Sequence, residues 1–359
     1  MMQDIQSGFH QLVGWVTQHR ILMLFITCAG LGAAGSWLIA EIPFREHLLD
    51  VPNERSSHTE LTPRGGGVGI LAAFIAAGLT LRIPTTFLFA AVLISIVSFY
   101  GDYIRISVKF RLAVQLVATV LFLFPLLPGL SEHFALSSFG FSPFIFFLIL
   151  PLILLFIIGT SNFYNFMDGI NGIAGLSGII AFGLLGIYTL YLAPAGTYPA
   201  AMPRLSICIA LACLGYLPFN MPRARVFMGD VGSILLGFVF AALVVILARN
   251  YHEMVCFAGL LFPFYADELT TMAIRLRDHE NLFRPHRRHL YQLLANEAGM
   301  AHRKVTLLYA AGQLAVGAGL LWANTYNLWV VVIFLTVSFI LFTFLSLLVR
   351  KKTESQTIA

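Results

Sequence analysis

A chain of 359 residues with 58% hydrophobic and only 11% charged residues is not an ordinary soluble domain, because about a quarter of such a domain is charged. Its mean hydropathy of +0.84 places it in the membrane class. The formal net charge of +5 does not point to nucleic acid, because the basic residues sort by loop and so report topology.

Residues 1–20 read as a short extracytoplasmic or interfacial segment, and Met1 to His19 contains no Lys or Arg. The apolar run that follows is too long for the core of a cleavable signal and reads as an anchor. Eleven runs are long enough to cross about 30 Å of hydrocarbon as helices. They lie at about 21–43, 67–83, 84–100, 112–129, 142–160, 171–193, 203–219, 231–248, 253–270, 305–323 and 327–349. The expected fold is all-α, a polytopic helical membrane protein of 10–11 transmembrane helices. Residues 21–349 form one transmembrane domain with five cytoplasmic loops, and 350–359 a cytoplasmic tail. With the N-terminus outside, 18 of the 22 basic residues fall in inside loops. That asymmetry predicts N-terminus out and C-terminus in. Cys28, Cys208, Cys213 and Cys256 all lie in apolar runs and read as small buried hydrophobes.

The polar clusters follow in chain order. The first inside loop is DVPNERSSHTELTPRGGG, Asp50 to Gly67, and the second GDYIRISVKFR, Gly101 to Arg111. The third, NFYNFMDGINGIAG, runs from Asn162 to Gly175, and the fourth, NMPRARVFMGDVGS, from Asn220 to Ser233. The fifth runs from Asp267 through DHENLFRPHRRHLYQ to Gln292. All five follow odd-numbered runs and so share one face, whereas outside loops such as APAGTYP are chemically plain. The middles of the runs hold essentially no ionisable residue. A transporter or flippase keeps its polar site near the bilayer midplane, with broken helices and intramembrane charge. Polar groups at one boundary suit an enzyme that joins a water-soluble substrate to a lipid headgroup.

Asp102, Asp168 and Asp230 sit in three different loops, and carboxylates brought together this way can hold Mg²⁺. Gly65–Gly67 and Gly229–Gly232 open helices, where free N–H groups and the helix dipole favour phosphate. Arg55, Arg64, Arg287 and Arg288 can clamp phosphate oxygens. The set points to metal-assisted phosphoryl transfer. Duller readings stand beside it. Asp168 and Asp230 can be N-caps of the helices that follow, and Gly65–Gly67 a flexible helix entry. His286 and His289 can be solvated loop residues, and Arg350 to Lys352 a topology anchor. Asp267 and Glu268, at a helix C-terminus, oppose the dipole, which favours a functional role.

NFMDGINGIAG, VFMGDVGS, DVPNERSSH…TPRGGG and RPHRRHLYQ together resemble the polyprenyl-phosphate N-acetylhexosamine-1-phosphate transferases, the glycosyltransferase 4 family. The resemblance runs from Asp50 to about Gln292 and is strongest to the branch that initiates lipopolysaccharide O-antigen or related glycans. It implies that undecaprenyl phosphate attacks the sugar-linked phosphorus of a UDP-N-acetylhexosamine and that UMP leaves. It implies Mg²⁺, with Mn²⁺ as a substitute, and a site on the cytoplasmic face of the bacterial inner (cytoplasmic) membrane. It also allows a homodimer. By the same resemblance Asp230 is the chief metal ligand and Asp102 lies beside the lipid phosphate as base or metal partner. Asp168 and Asn165 organise the nucleotide side, and Phe227 stacks on uracil. His286, Arg288 and His289 approach the sugar and diphosphate, and Asn53, Arg55, His58 and Arg64 line the substrate site from the first loop. Two positions depart from the family pattern. Gly101 stands where many members carry the first of two aspartates, and Asn171 where many carry Asp, although Asn still accepts a hydrogen bond from uracil N3–H. Gly101 is also the best support for a third reading, a catalytically decayed membrane scaffold. The sugar stays open among GlcNAc, GalNAc and a 6-deoxy N-acetylhexosamine.

Overall fold

The structure, a computed structural model, describes residues 2–41, 48–50, 60–104, 106–127, 144–282 and 286–358. Among them nine helices are long and apolar enough to cross a membrane. The chain is an all-α polytopic membrane protein. Its helices are α1 (Met2–Glu41), α2 (Val68–Leu81), α3 (Thr85–Tyr103), α4 (Val108–Leu123), α5 (Phe144–Phe166), α6 (Ile173–Ile187) and α7 (Ala201–Asn220). They continue as α8 (Asp230–Leu247), α9 (Tyr251–Ala258), α10 (Phe262–Arg277), the single turn α11 (Leu290–Gln292), α12 (His302–Ala323) and α13 (Leu328–Ile358).

Two of the eleven expected runs take a different form. The second is only the 14-residue α2, about 21 Å long, because Arg82 adopts the left-handed conformation (φ 54°) and turns its N–H back onto Gly78 and Leu79. The ninth is broken into α9, a 3-10 turn at Gly259–Leu261, and α10. Pro263, in the first turn of α10, has no N–H to donate, so a helix restarts there instead of running through. The expected tail at 350–359 continues α13 as helix to Ile358.

The centre of the molecule is α8, apolar on every side and almost wholly buried. It packs against α3, α5, α2 and α7. At the periphery, α13 turns Ile333, Val337, Ile340 and Phe344 outward, as a lipid-facing helix should. Small residues let backbones meet where helices cross: a Cβ on Gly215 of α7 would stand 2.0 Å from the Ala29 carbonyl oxygen of α1. Neutral polar side chains make hydrogen bonds across the bundle interior, as a water-poor interior favours. Asn162 Nδ2 donates to Gln115 Oε1 at 2.7 Å, and Gln313 Nε2 to the carbonyls of Ser177 (3.1 Å) and Leu260 (2.9 Å). Charged residues of the first, second and fourth loops meet at one end of the bundle, where Arg111 pairs with Asp230 and Arg223 with Glu60, and Asp168 of the third loop lies within electrostatic reach of Asp230 and Asp102.

Candidate active site

The frame of that end is a backbone zipper. Strands β1 (Leu49–Asp50) and β2 (Thr62–Pro63) pair antiparallel, with Leu49 opposite Pro63 and Asp50 opposite Thr62. The chain beyond β2 then pairs with the loop before α8. Phe227 N–H donates to the Pro63 carbonyl (2.8 Å), Gly65 and Gly66 N–H to the Phe227 carbonyl (3.1 and 2.9 Å), and Gly67 N–H to the Met228 carbonyl (2.9 Å). The phosphate cradle expected at Gly65–Gly67 is therefore corrected: those three N–H groups already have acceptors, and their role is to fix Phe227 and Asp230 against the first loop.

The three aspartates come together on this frame. The Asp102 carboxylate, at the end of α3, accepts the backbone N–H of Asp230 at 2.9 Å and also that of Val231, capping α8 from another helix. Gly229 makes this approach possible, with φ at +73° and its absent Cβ leaving room 2.8 Å from Asp102 Oδ2. Asp230 in turn accepts from Asn165 Nδ2 on Oδ1 (2.8 Å) and from the Arg111 guanidinium on Oδ2 (2.6 Å). Asn165 also donates to Ser233 Oγ at 2.9 Å. The Asp168 carboxylate has no hydrogen bond among the described residues. Burial, followed by the charges of Asp230 and Asp102, pushes its carboxyl well above the usual range, while Arg64 opposes them. Arg64 itself pairs with Asp50 at 2.5 Å and lies within electrostatic reach of Asp102 and Asp230.

The capping alternatives for Asp168 and Asp230 fail on this geometry. Gly172 and Gly229 occupy the N-cap positions of α6 and α8. Asn220 ties the third loop to the fourth, accepting from Gly172 N–H (2.6 Å) and donating to the Val226 carbonyl (2.9 Å). Asn171 lies across the same seam, its Nδ2 3.4 Å from the Pro222 carbonyl. The fifth loop reaches the third through Tyr291, whose hydroxyl donates to the Phe166 carbonyl at 2.9 Å.

A family model described as glycosyl transferase family 4 matches residues 84–248, which include Asp102, Asp168 and Asp230. A phospho-N-acetylmuramoyl-pentapeptide-transferase of Shouchella clausii is 34% identical over 62% of this chain and 74% of its own length. The chain belongs to glycosyl transferase family 4. A probable undecaprenyl-phosphate N-acetylglucosaminyl 1-phosphate transferase of Bacillus subtilis is 24% identical over 89% of this chain and 91% of the relative. An undecaprenyl-phosphate alpha-N-acetylglucosaminyl 1-phosphate transferase of Thermotoga maritima is 28% identical over 71% and 75%.

In this family 4 member, Asp102, Asp168, Asp230, Asn165, Arg64 and Phe227 share one locus, with Asn171 at its edge. Asn53, Arg55 and His58 lie outside the described residues. The fifth-loop histidines are not both solvated loop residues. The rings of His286 and His289 are 4.7 Å apart, but His289 has extended backbone and is the N-cap of α11. His289 is buried. Arg288 is held in ion pairs with Asp278 (2.7 Å) and Glu280, on the side of its own loop. His286 is half-buried, and burial together with the charges of His289 and Arg275 pushes its imidazole down to about 4. Arg350 is also not a mere anchor: it is buried and donates to Thr271 Oγ1 at 3.0 Å. Arg111, Ser233 and Asn220 escaped sequence reading as site residues. Their signal was only their place inside the motif loops.

Among the described residues no three His, Cys, Asp or Glu side chains close into a ready metal cage. The donor set nonetheless suits a hard divalent cation that uses one or two carboxylates and keeps water and phosphate oxygens. Asp168, without a hydrogen bond among the described residues, lies within electrostatic reach of Asp230 and Asp102, and burial and their charges disfavour its ionised form. A cation among them would reverse that sign.

Proposed function

We propose that the protein transfers an N-acetylhexosamine 1-phosphate from a UDP-sugar to undecaprenyl phosphate. An oxygen of the lipid phosphate bonds to the sugar-linked phosphorus, the bond from that phosphorus to the bridging oxygen breaks, and UMP departs with the electron pair. The observation that carries this reading is the seating of Asp102 on the Asp230 N–H, with Asp230 held by Asn165 and Arg111 and Asp168 within electrostatic reach of both carboxylates. The names of the Bacillus and Thermotoga relatives support the same substrates. Loop charge supports a cytoplasmic site in the bacterial inner membrane, and the motif resemblance supports initiation of O-antigen or a related envelope glycan.

Asp230 and Asp102 are the residues that would hold Mg²⁺, with Mn²⁺ as a substitute; bound there, the ion supplies charge neutralisation to the diphosphate. Asn165 and Arg111 fix the Asp230 carboxylate, and Arg111 is near enough to share in binding phosphate. Phe227, pinned by the backbone zipper, offers a face for uracil, and Asn171 an acceptor for its N3–H. His286 meets the sugar or diphosphate as a neutral imidazole. The test is Mg²⁺-dependent UMP release by purified protein with undecaprenyl phosphate and a panel of UDP-N-acetylhexosamines. Asp230→Asn should lower kcat/KM at least about 100-fold, the scale for losing one group that stabilises developing charge. Near-normal turnover by a folded Asp230→Asn protein would sink the assignment. Substrate movement without UMP would favour a transporter, and inactivity toward every donor a decayed scaffold.

A further inference from the structure

Asp267, on α10, takes no part in the carboxylate cluster, yet it is fully buried. Desolvating a carboxylate is costly unless donors surround it, and here they come from four groups. Its Oδ1 accepts the backbone N–H of Leu290 at 2.7 Å and the Thr271 hydroxyl at 3.2 Å. Its Oδ2 accepts the Tyr309 hydroxyl at 2.6 Å and the Tyr291 N–H at 3.2 Å. Asp267 thus caps α11 from a different helix. Beside it, Glu268 Oε2 stands 3.4 Å from His289 Nε2, and His289 Nδ1 stands 3.8 Å from Asp267 Oδ1. Arg350 closes the network from α13 through Thr271.

The turn held in this way carries Tyr291, which reaches the other half of the site. Its hydroxyl binds the Phe166 carbonyl, and it covers Gly169 so closely that a Cβ there would lie 2.1 Å from Tyr291 Oη. Phe166 and Gly169 flank Asp168. We propose that Asp267 is a positioning residue: it fixes the turn His289–Gln292 and, through Tyr291, sets the histidine loop against the Asp168 turn. Asp267 touches no substrate. Its consequence for turnover rests on the transferase reading above; its hold on the turn does not.

The full chain in detergent tests this with two conservative variants. Asp267→Asn keeps the shape but points a donor at other donors; Tyr291→Phe removes only the hydroxyl that joins the loops. Hydrogen exchange at the Leu290 and Tyr291 amides should quicken in Asp267→Asn. In both variants kcat for sugar-phosphate transfer should fall at least about tenfold, since a misplacement of 1 Å can cost about 100-fold, while UMP affinity stays at the wild-type level in both and thermal stability stays near it in Tyr291→Phe. Unchanged exchange in Asp267→Asn would overturn the proposal. So would wild-type kcat in both variants, or a loss of activity matched by equal losses of UMP affinity and stability. If the wild type turned over no UDP-sugar the transferase reading would fall, and the exchange measurement would still decide whether Asp267 holds the turn.

Discussion

Asp102 and Asp168 differ in what surrounds them, and the difference separates their roles. Asp102 is satisfied by backbone donors at the start of α8, so it joins two helices as well as lending charge to the cluster. Asp168 has no such partners among the described residues, and burial together with the charges of Asp230 and Asp102 disfavours its ionised form. His286 gives a residue-scale prediction with a definite sign. Its folded value is pushed down to about 4 from the ordinary value of 6.5, so the fold favours neutral imidazole. The stability tied to that neutral form is complete above about pH 6.5 and is lost as the pH falls toward about 4. The kcat/KM profile should therefore show no His286 ionisation between pH 6 and 8. An inflection near pH 6.5 that disappears in His286→Gln would contradict this.

At the scale of elements, the site depends on loops pinned to helix starts. Gly229→Ala should be damaging for two reasons, the positive φ and the 2.8 Å approach to Asp102 Oδ2. Backbone strain of this kind costs about 1–3 kcal/mol, so thermal unfolding in detergent should shift downward and activity should fall with it. A variant with wild-type stability and turnover would show that the α3–α8 cap does not matter. Sequence alone exposed the loops that carry Asp102, Asp168 and Asp230, because charge is rare in this chain and loop parity puts all three on one side. It did not expose Arg111, Asn220 or Tyr291, since their importance lies in partners more than forty residues away. It misjudged Gly65–Gly67 for the same reason: a glycine run shows that N–H groups are accessible, not which carbonyl takes them. Arg350 read as an anchor because it heads a basic run; burial against Thr271 is a tertiary fact.

At the scale of the whole molecule, a buried apolar helix, α8, carries Asp230 at one end while lipid-facing helices surround it. The eleven apolar runs were legible from composition, and only the short α2 and the break before α10 needed the fold to explain them. Orientation is open to a direct check. The native cysteines are all buried, so single cysteines at exposed positions can be labelled selectively. Ala195→Cys should react with a membrane-impermeant maleimide on intact cells, and Arg223→Cys only after the membrane is opened. The reverse pattern would put the site on the outer face. The central claim is a transfer of sugar and phosphate together, and it has a decisive measurement. Incubating the protein and undecaprenyl phosphate with a UDP-N-acetylhexosamine labelled at the sugar-linked phosphorus should move the label into the lipid fraction and release unlabelled UMP. Label remaining with the nucleotide, or released as free phosphate, would contradict it.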